Sequence, residues 1–321
     1  MNRGTKVALV LGGMGALGAL TLFAIVQPTT PAVPVSVEKR ADPEALERHV
    51  RMLSEEFVPR DYTHPENLKR TADYIAEQWK AAGLQVEQQS YEAEGRTYWN
   101  VVARIGAAAP TSVVVAHYDT CDELPGADDN ASGVAGLIEL GRILATQPPA
   151  GGIELAAVST EEPPYFRSEH MGSAVHAEQL RRSERNIRWV ISMEMIGTFV
   201  DTPDSQKFPI EALTLIYPDQ GNFIAVIGDL GAMAEVRRVK AGMQAADTIP
   251  VWSMNAPTLL QGIDWSDHRS YRAQGFGAVM VTDTSYLRNF HYHTAEDTAD
   301  RLDYRRMAQV VDAVAQAAVQ P

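Results

Sequence analysis

Three observations predict an α/β fold in three layers, with helices on both faces of a central mixed, mostly parallel sheet. From residue 113 onward, short apolar runs alternate with longer stretches of helical periodicity, the signature of strands joined by crossover helices. Those runs are β-branched and continuously apolar, as strands covered on both faces must be. The chain also has 321 residues, 45% of them hydrophobic, which is enough for one large domain with a sizeable core.

Arg3 and Lys6 precede an uncharged run over 7–26, VALVLGGMGALGALTLFAIV, about as long as a bilayer span. An uncleaved signal anchor fits this run better than a cleaved signal peptide, because Ala24-Ile25-Val26 lacks a small residue at its last position. Positive charge ahead of the run puts the body outside the cytoplasm, in a bacterial periplasm or secreted, tethered to the inner membrane by residues 7–26. Residues 27–41, rich in Pro, Thr and Val, read as a linker, and 42–321 as a single domain without internal repeats.

Asp42-Pro43 starts a helix, an N-cap followed by Pro at the first position, running to about residue 56. A second spans about 65–82, with Leu68, Ala72, Ile75, Ala76 and Trp79 on one face, and Gly83 stops it. Strands follow at 85–91, 99–105 and 113–116, then a helix through Val134, Leu137, Ile138 and Leu140. Further strands are expected at 153–158, 189–193, 213–217, 224–227, 250–253 and 277–281. Helices are expected near 171–181, 232–244 and 304–318.

A net charge of −13 argues against nucleic acid as a partner, since phosphate binding needs clustered Lys and Arg. The lone Cys121 excludes an internal disulfide framework and any Cys-based zinc site, and reads as a free, non-catalytic thiol. A metal here must then be held by His, Asp and Glu.

Residues able to hold one cluster at strand ends: His117 with Asp119, then Asp128, Glu161-Glu162 and Glu194, with Phe290-His291-Tyr292-His293-Thr294 and Asp297 late in the chain. In a parallel sheet the C-terminal strand ends share one edge, so distant residues converge there. Each has an ordinary structural explanation: a strand-end His is usually a hydrogen-bonding residue, a Glu-Glu pair a solvated turn, Asp128-Asp129 a helix N-cap. Converged, however, the carboxylates would repel one another unless a divalent cation sat among them. Oxygen and imidazole donors suit zinc, with manganese or cobalt as alternatives.

The series HYD, PGADDNASGVAGLIEL, TEEP, SMEMIG, SDH and YHTAEDT resembles the motifs of the clan-MH zinc exopeptidases, and more narrowly the bacterial di-zinc, leucyl aminopeptidase-like family. NLKRTADYIAEQWKAAGLQVE and NVVARI resemble the family's approach to the first ligand strand, so the likeness covers about residues 44–318. It implies the zinc aminopeptidase (phosphorylase/hydrolase-like) fold and two Zn²⁺ ions. It further implies that His117 and Glu194 hold one ion, that Glu162 and His293 hold the other, and that Asp128 bridges them. Glu161 would be the general base, and Asp119 would hold the far nitrogen of His117. Asp129 would shape the backbone through a cis bond between Asp128 and Asp129.

The implied reaction is hydrolysis of the N-terminal peptide bond by metal-activated water, with a peptide as substrate. Glu194 stands where many relatives have Asp. The segment PPYFRSEHMGS after Glu162 is longer than in compact members, so Tyr165, Phe166 and Arg167 are expected along the substrate cleft. No Tyr occupies the usual oxyanion position, and His268 is expected to substitute for it or to support the ligands, as is Asp297. Neither GxSxG nor HExxH is present. Within the same fold, a carboxypeptidase would need Arg167 or Arg288 to read a terminal carboxylate. A glutaminyl cyclase would need a single zinc, and an inert receptor-type ectodomain would have lost ligands.

Overall fold

The structure is a computed structural model that describes residues 18–35, 40–106, 109–149 and 151–320. The core is an eight-stranded sheet, built from β1 (Gln85–Ala93), β2 (Arg96–Ile105), β3 (Thr111–His117), β4 (Gly152–Val158), β5 (Ile187–Glu194), β6 (Ile224–Gly228), β7 (Val251–Asn255) and β8 (Ala278–Thr282). The strand order is β1-β2-β4-β3-β5-β8-β6-β7. The central run β4-β3-β5-β8 is parallel, whereas β1, β2 and the β6/β7 pair make the sheet mixed.

The three layers follow from strand alternation. Val114 and Ala116 of β3 face one core, which is closed by α1 (Pro43–Arg51), α2 (Pro65–Ala81), α3 (Gly133–Thr146), α5 (Met233–Ala245) and α7 (Tyr304–Val319). Val113 and Val115 face the other, under α4 (Gly172–Arg182) and α6 (His268–Ala273). All seven residues of β3 are buried, and each Val contributes about 1.5–3 kcal/mol by leaving water.

Asp42 caps α1 by accepting from the Glu44 amide at 3.0 Å. The helix relaxes into a wide final turn over Met52–Glu56. Gly83 follows α2 at φ +86°, a left-handed position that a side chain would disfavour. The strand expected at 213–217 is instead a tight helical turn, Glu211–Leu215. Leu213 and Tyr217 are buried but Leu215 between them is 88% exposed, whereas a strand would put all three on one face.

Residues 18–26 are helical, and the rest of the expected anchor, 1–17, lies outside the described residues. Among the described residues no helix is long and apolar enough to cross a membrane. The start of the expected linker lies along the body. Lys240 Nζ donates to the Val26 and Gln27 carbonyls at 3.1 and 3.3 Å, Ser253 Oγ donates to Val26 O, and Ala32 N donates to Ala241 O.

Candidate metal centre and active site

The parallel strands bring their C-terminal ends to one edge. His117 ends β3, Glu161-Glu162 follow β4, and Glu194 ends β5. Thr160 before the pair (φ +57°), Met195 after Glu194 (φ +50°) and His293 itself (φ +56°) are all left-handed non-glycine residues. Such positions cost of order 1–3 kcal/mol each and persist only where surrounding contacts over-determine them.

His117 is fully buried. Its Nε2 lies 3.3 Å from Glu194 and 3.4 Å from Asp129, with Glu161 at 4.0 Å. His293 Nε2 lies 3.0 Å from the other oxygen of Asp129 and 3.2 Å from Glu162. Two donor groups result, joined by one carboxylate: His117, Asp129 and Glu194 on one side, Glu162 and His293 on the other. Cys121 joins the second group, its sulfur and the Glu162 and His293 donor atoms lying within 4.8 Å of one another.

The carboxylate placed between the two groups is therefore that of Asp129 and not, as expected, that of Asp128. Asp128 points into the protein, where its carboxylate accepts from Gly197 N at 2.9 Å, Asn289 Nδ2 at 2.9 Å and the Thr198 hydroxyl. The cis bond likewise falls between Asp129 and Asn130, one residue later than expected. Asn130 fixes this backbone by donating to Met193 O and accepting from the Gly133 and Met195 amides. A Cβ at Gly133 would sit 2.3 Å from Asn130 Oδ1, so the loop and α3 meet only around a glycine.

Asp119 sits behind His117, its backbone carbonyl 3.2 Å from Nδ1. Its carboxylate is 3.5 Å from His117 Nδ1 and accepts the backbone amides of Glu161 and Glu162 at 3.1 and 3.0 Å. One carboxylate thus orients the histidine and the Glu-Glu pair together. Asp297 accepts the amides of Asp128 and Asp129 and so holds the bridging residue from behind. Ser266 donates to Glu194 at 2.7 Å.

Two expectations shift. His268 faces away from the cluster, donating through Nε2 to Ile263 O at 2.8 Å. Its predecessor Asp267 is the buried acid of that motif: burial raises its pKa to about 7, the charges of Glu194 and Asp119 adding to the push and His117 opposing it. Arg167 pairs with Asp264 at 2.9 Å and tethers two loops, while its neighbour Phe166 lines the cleft with Trp265 and Tyr292. Tyr292, passed over in the sequence, stacks on His293 with ring centroids 3.8 Å apart.

The electrostatics show what the cluster lacks. Burial pushes Glu161 well above the ordinary carboxylate range and Glu162 up to about 7, and it raises Glu194. His117 moves well above its usual value. Burial opposes this, and the charge of Glu194 with the nearby carboxylates of Asp119 and Asp129 outweighs it. Alone, the group keeps its acids only by holding protons, and a divalent cation removes that need. His117 Nε2 and Asp129 Oδ1 are buried and make no hydrogen bond, as ligand atoms placed for a cation would be. The residues present therefore fit a metal.

From Glu194, Trp265 and Tyr292 a second, apolar pocket continues outward, walled by Phe223, Trp252 and Met254. Arg288, a conceivable carboxylate reader, is buried, and its guanidinium donates to Gln206 Oε1 and to the Thr198 and Phe223 carbonyls.

The family model for peptidase family M28 matches residues 100–318. The uncharacterized protein YfbL of Escherichia coli is 45% identical over 304 residues, covering 92% of this chain and 93% of that protein. Aminopeptidase YwaD of Bacillus subtilis is 27% identical over 205 residues, which are 63% of this chain and only 39% of YwaD. A zinc aminopeptidase from B. subtilis shares the fold with a TM-score of 0.68 at 15% identity, covering 88% of this chain and 95% of that one.

Proposed function

Because the chain belongs to peptidase family M28, we propose that its cleft removes N-terminal residues from peptides, preferring bulky apolar ones, with two zinc ions in the paired donor groups. The observation that carries this is Asp129 between the two groups, with Glu161 beside both and in neither. Bound there, the metals would acidify a water and polarise the scissile carbonyl.

Glu161 then takes the water's proton and hands it to the leaving amine, a role that needs a carboxylate free of other partners. Asp119 holds Glu161 by its backbone amide, so the base is positioned through the main chain. Tyr292 lines both the cleft and the apolar pocket, and its hydroxyl is the donor this reading assigns to the developing oxyanion. Glu194, at the same junction, suits recognition of the free amine. The apolar pocket then takes the N-terminal side chain. With Arg288 spent on internal partners and Arg167 paired with Asp264, neither candidate reader of a terminal carboxylate is free, which supports an aminopeptidase over a carboxypeptidase.

The uncharged run over 7–26 behind Arg3 and Lys6 supports a body tethered on the extracytoplasmic side. Membrane fractionation with and without the first thirty or so residues tests the tether; a full-length chain recovered entirely in the soluble fraction would dismiss it.

The function is tested by turnover of aminoacyl-anilides against N-acetylated peptides. Phe and Leu anilides should exceed Ala by about tenfold or more, and N-acetylated peptides should be inert. Glu161→Gln should lower kcat by at least about 10²-fold with zinc content unchanged. Equal turnover of N-acetylated peptides would sink the aminopeptidase reading, and a firm count of one zinc per chain would favour a cyclase.

A further inference from the structure

We propose that Cys121 supplies a sulfur ligand to the second metal position, making its donor set Asp129, Glu162, His293 and Cys121 rather than oxygen and nitrogen alone. The inference rests on the two-metal reading above and adds to it a ligand from the loop after β3.

Position carries the argument first. The sulfur of Cys121 and the donor atoms of Glu162 and His293 all lie within 4.8 Å of one another, which is the spacing of groups that share one ion. Asp129 reaches this set through one oxygen, 3.0 Å from His293 Nε2, while its other oxygen, buried without a hydrogen bond, faces His117 in the first group. The thiol therefore joins a group that already points to a cation.

The loop that carries it is also built to hold it there. Arg60 is fully buried, and its guanidinium donates to Leu53 O, Tyr118 O and Gly126 O, spanning the loop on both sides of Cys121. Thr120 N donates back to Arg60 O at 3.1 Å, and Thr120 Oγ1 donates to Asp122 O at 3.2 Å. Asp122, next to the cysteine, is left-handed at φ +49°. The thiol is thus presented by a pinned turn.

The chemistry follows. On binding, the S–H bond gives up its proton to solvent and the sulfur lone pair forms the bond to metal, with no oxidation. Thiolate favours zinc over manganese, so the second position should be the more zinc-selective of the two.

The test uses the full chain, stripped of metal and reloaded with zinc. The thiol should react with a disulfide reagent in the stripped protein and become about tenfold slower or more once two equivalents of zinc are bound. Loaded with cobalt(II) instead, the wild type should show a near-ultraviolet sulfur-to-metal band that Cys121→Ser lacks, both keeping the visible bands of bound cobalt. Two bound equivalents with unchanged thiol reactivity and no such band would overturn the sulfur ligand alone. Failure to bind a second equivalent would overturn the two-metal reading and this proposal together.

Discussion

Asp128 and Asp129 are chemically identical neighbours with opposite jobs. Asp129 lies 3.4 Å from one histidine and 3.0 Å from the other, whereas Asp128 spends its carboxylate on Gly197, Thr198 and Asn289. Asp129→Asn should therefore bind less than two zinc ions and lose turnover. Asp128→Asn should keep its zinc and lose stability, since hydrogen bonds to a buried charge contribute about 1.5–3 kcal/mol each. Zinc content and thermal unfolding of the two variants check this, and the reverse pattern would return the bridge to Asp128. The sequence could not choose between them, because the direction of each side chain is decided by the backbone around Asn130 and by partners more than 60 residues away. His117, Glu161, Glu162 and Glu194 were legible because each ends an apolar strand or follows it directly. Asp267 and Tyr292 were hidden beside His268 and His293, residues whose chemistry is more conspicuous. A single cysteine rules out a site made of cysteines but not a mixed one, so the place of Cys121 beside Glu162 and His293 was not legible in the sequence.

At the scale of elements, periodicity is reliable where one face is buried and fails where burial is local. β3 and α3 follow from their apolar patterns, whereas the 211–217 segment has the residues of a strand but buries only Leu213 and Tyr217. The linker composition of residues 27–41 gave no sign that its first part would lie along α5, because the bonds at Gln27 O and Ala32 N use main-chain groups that any sequence offers. Within α1, His49 is 8% exposed, and burial lowers its pKa to about 4, with Tyr74 hydroxyl 2.7 Å from its Nδ1. The folded value lies below the unfolded value of about 6.5, so the unfolded chain binds the extra proton between them. The stability tied to neutral His49 is complete above about pH 6.5 and is lost as pH falls toward 4. Urea unfolding at pH 7 and pH 5 should show wild type losing about 2 kcal/mol more than His49→Gln over that interval. Equal losses would mean that His49 takes up its proton as readily in the folded chain as in the unfolded one.

Across the whole molecule, the metal centre joins parts of the chain that are otherwise linked only through the sheet. Its proposed ligands come from the ends of β3 and β5, the loop before α3, the turn after β4, and the loop ahead of α7. These acids are buried, and the chain as a whole carries a net charge of −13. A cation bound only by the folded state stabilises it by RT ln(1 + [L]/Kd), about 4 kcal/mol at a thousand times Kd. For a body of this size that corresponds to a fall in Tm of about 10 °C when a chelator removes the metal. Zinc should restore the original Tm, and Asp129→Asn should show a much smaller chelator effect because its centre is already broken. Calorimetric scans of both proteins with and without chelator give the answer without any substrate. If metal removal moves neither Tm by more than about a degree, the cluster is not closed by a tightly held ion, and its buried acids are held by shared protons.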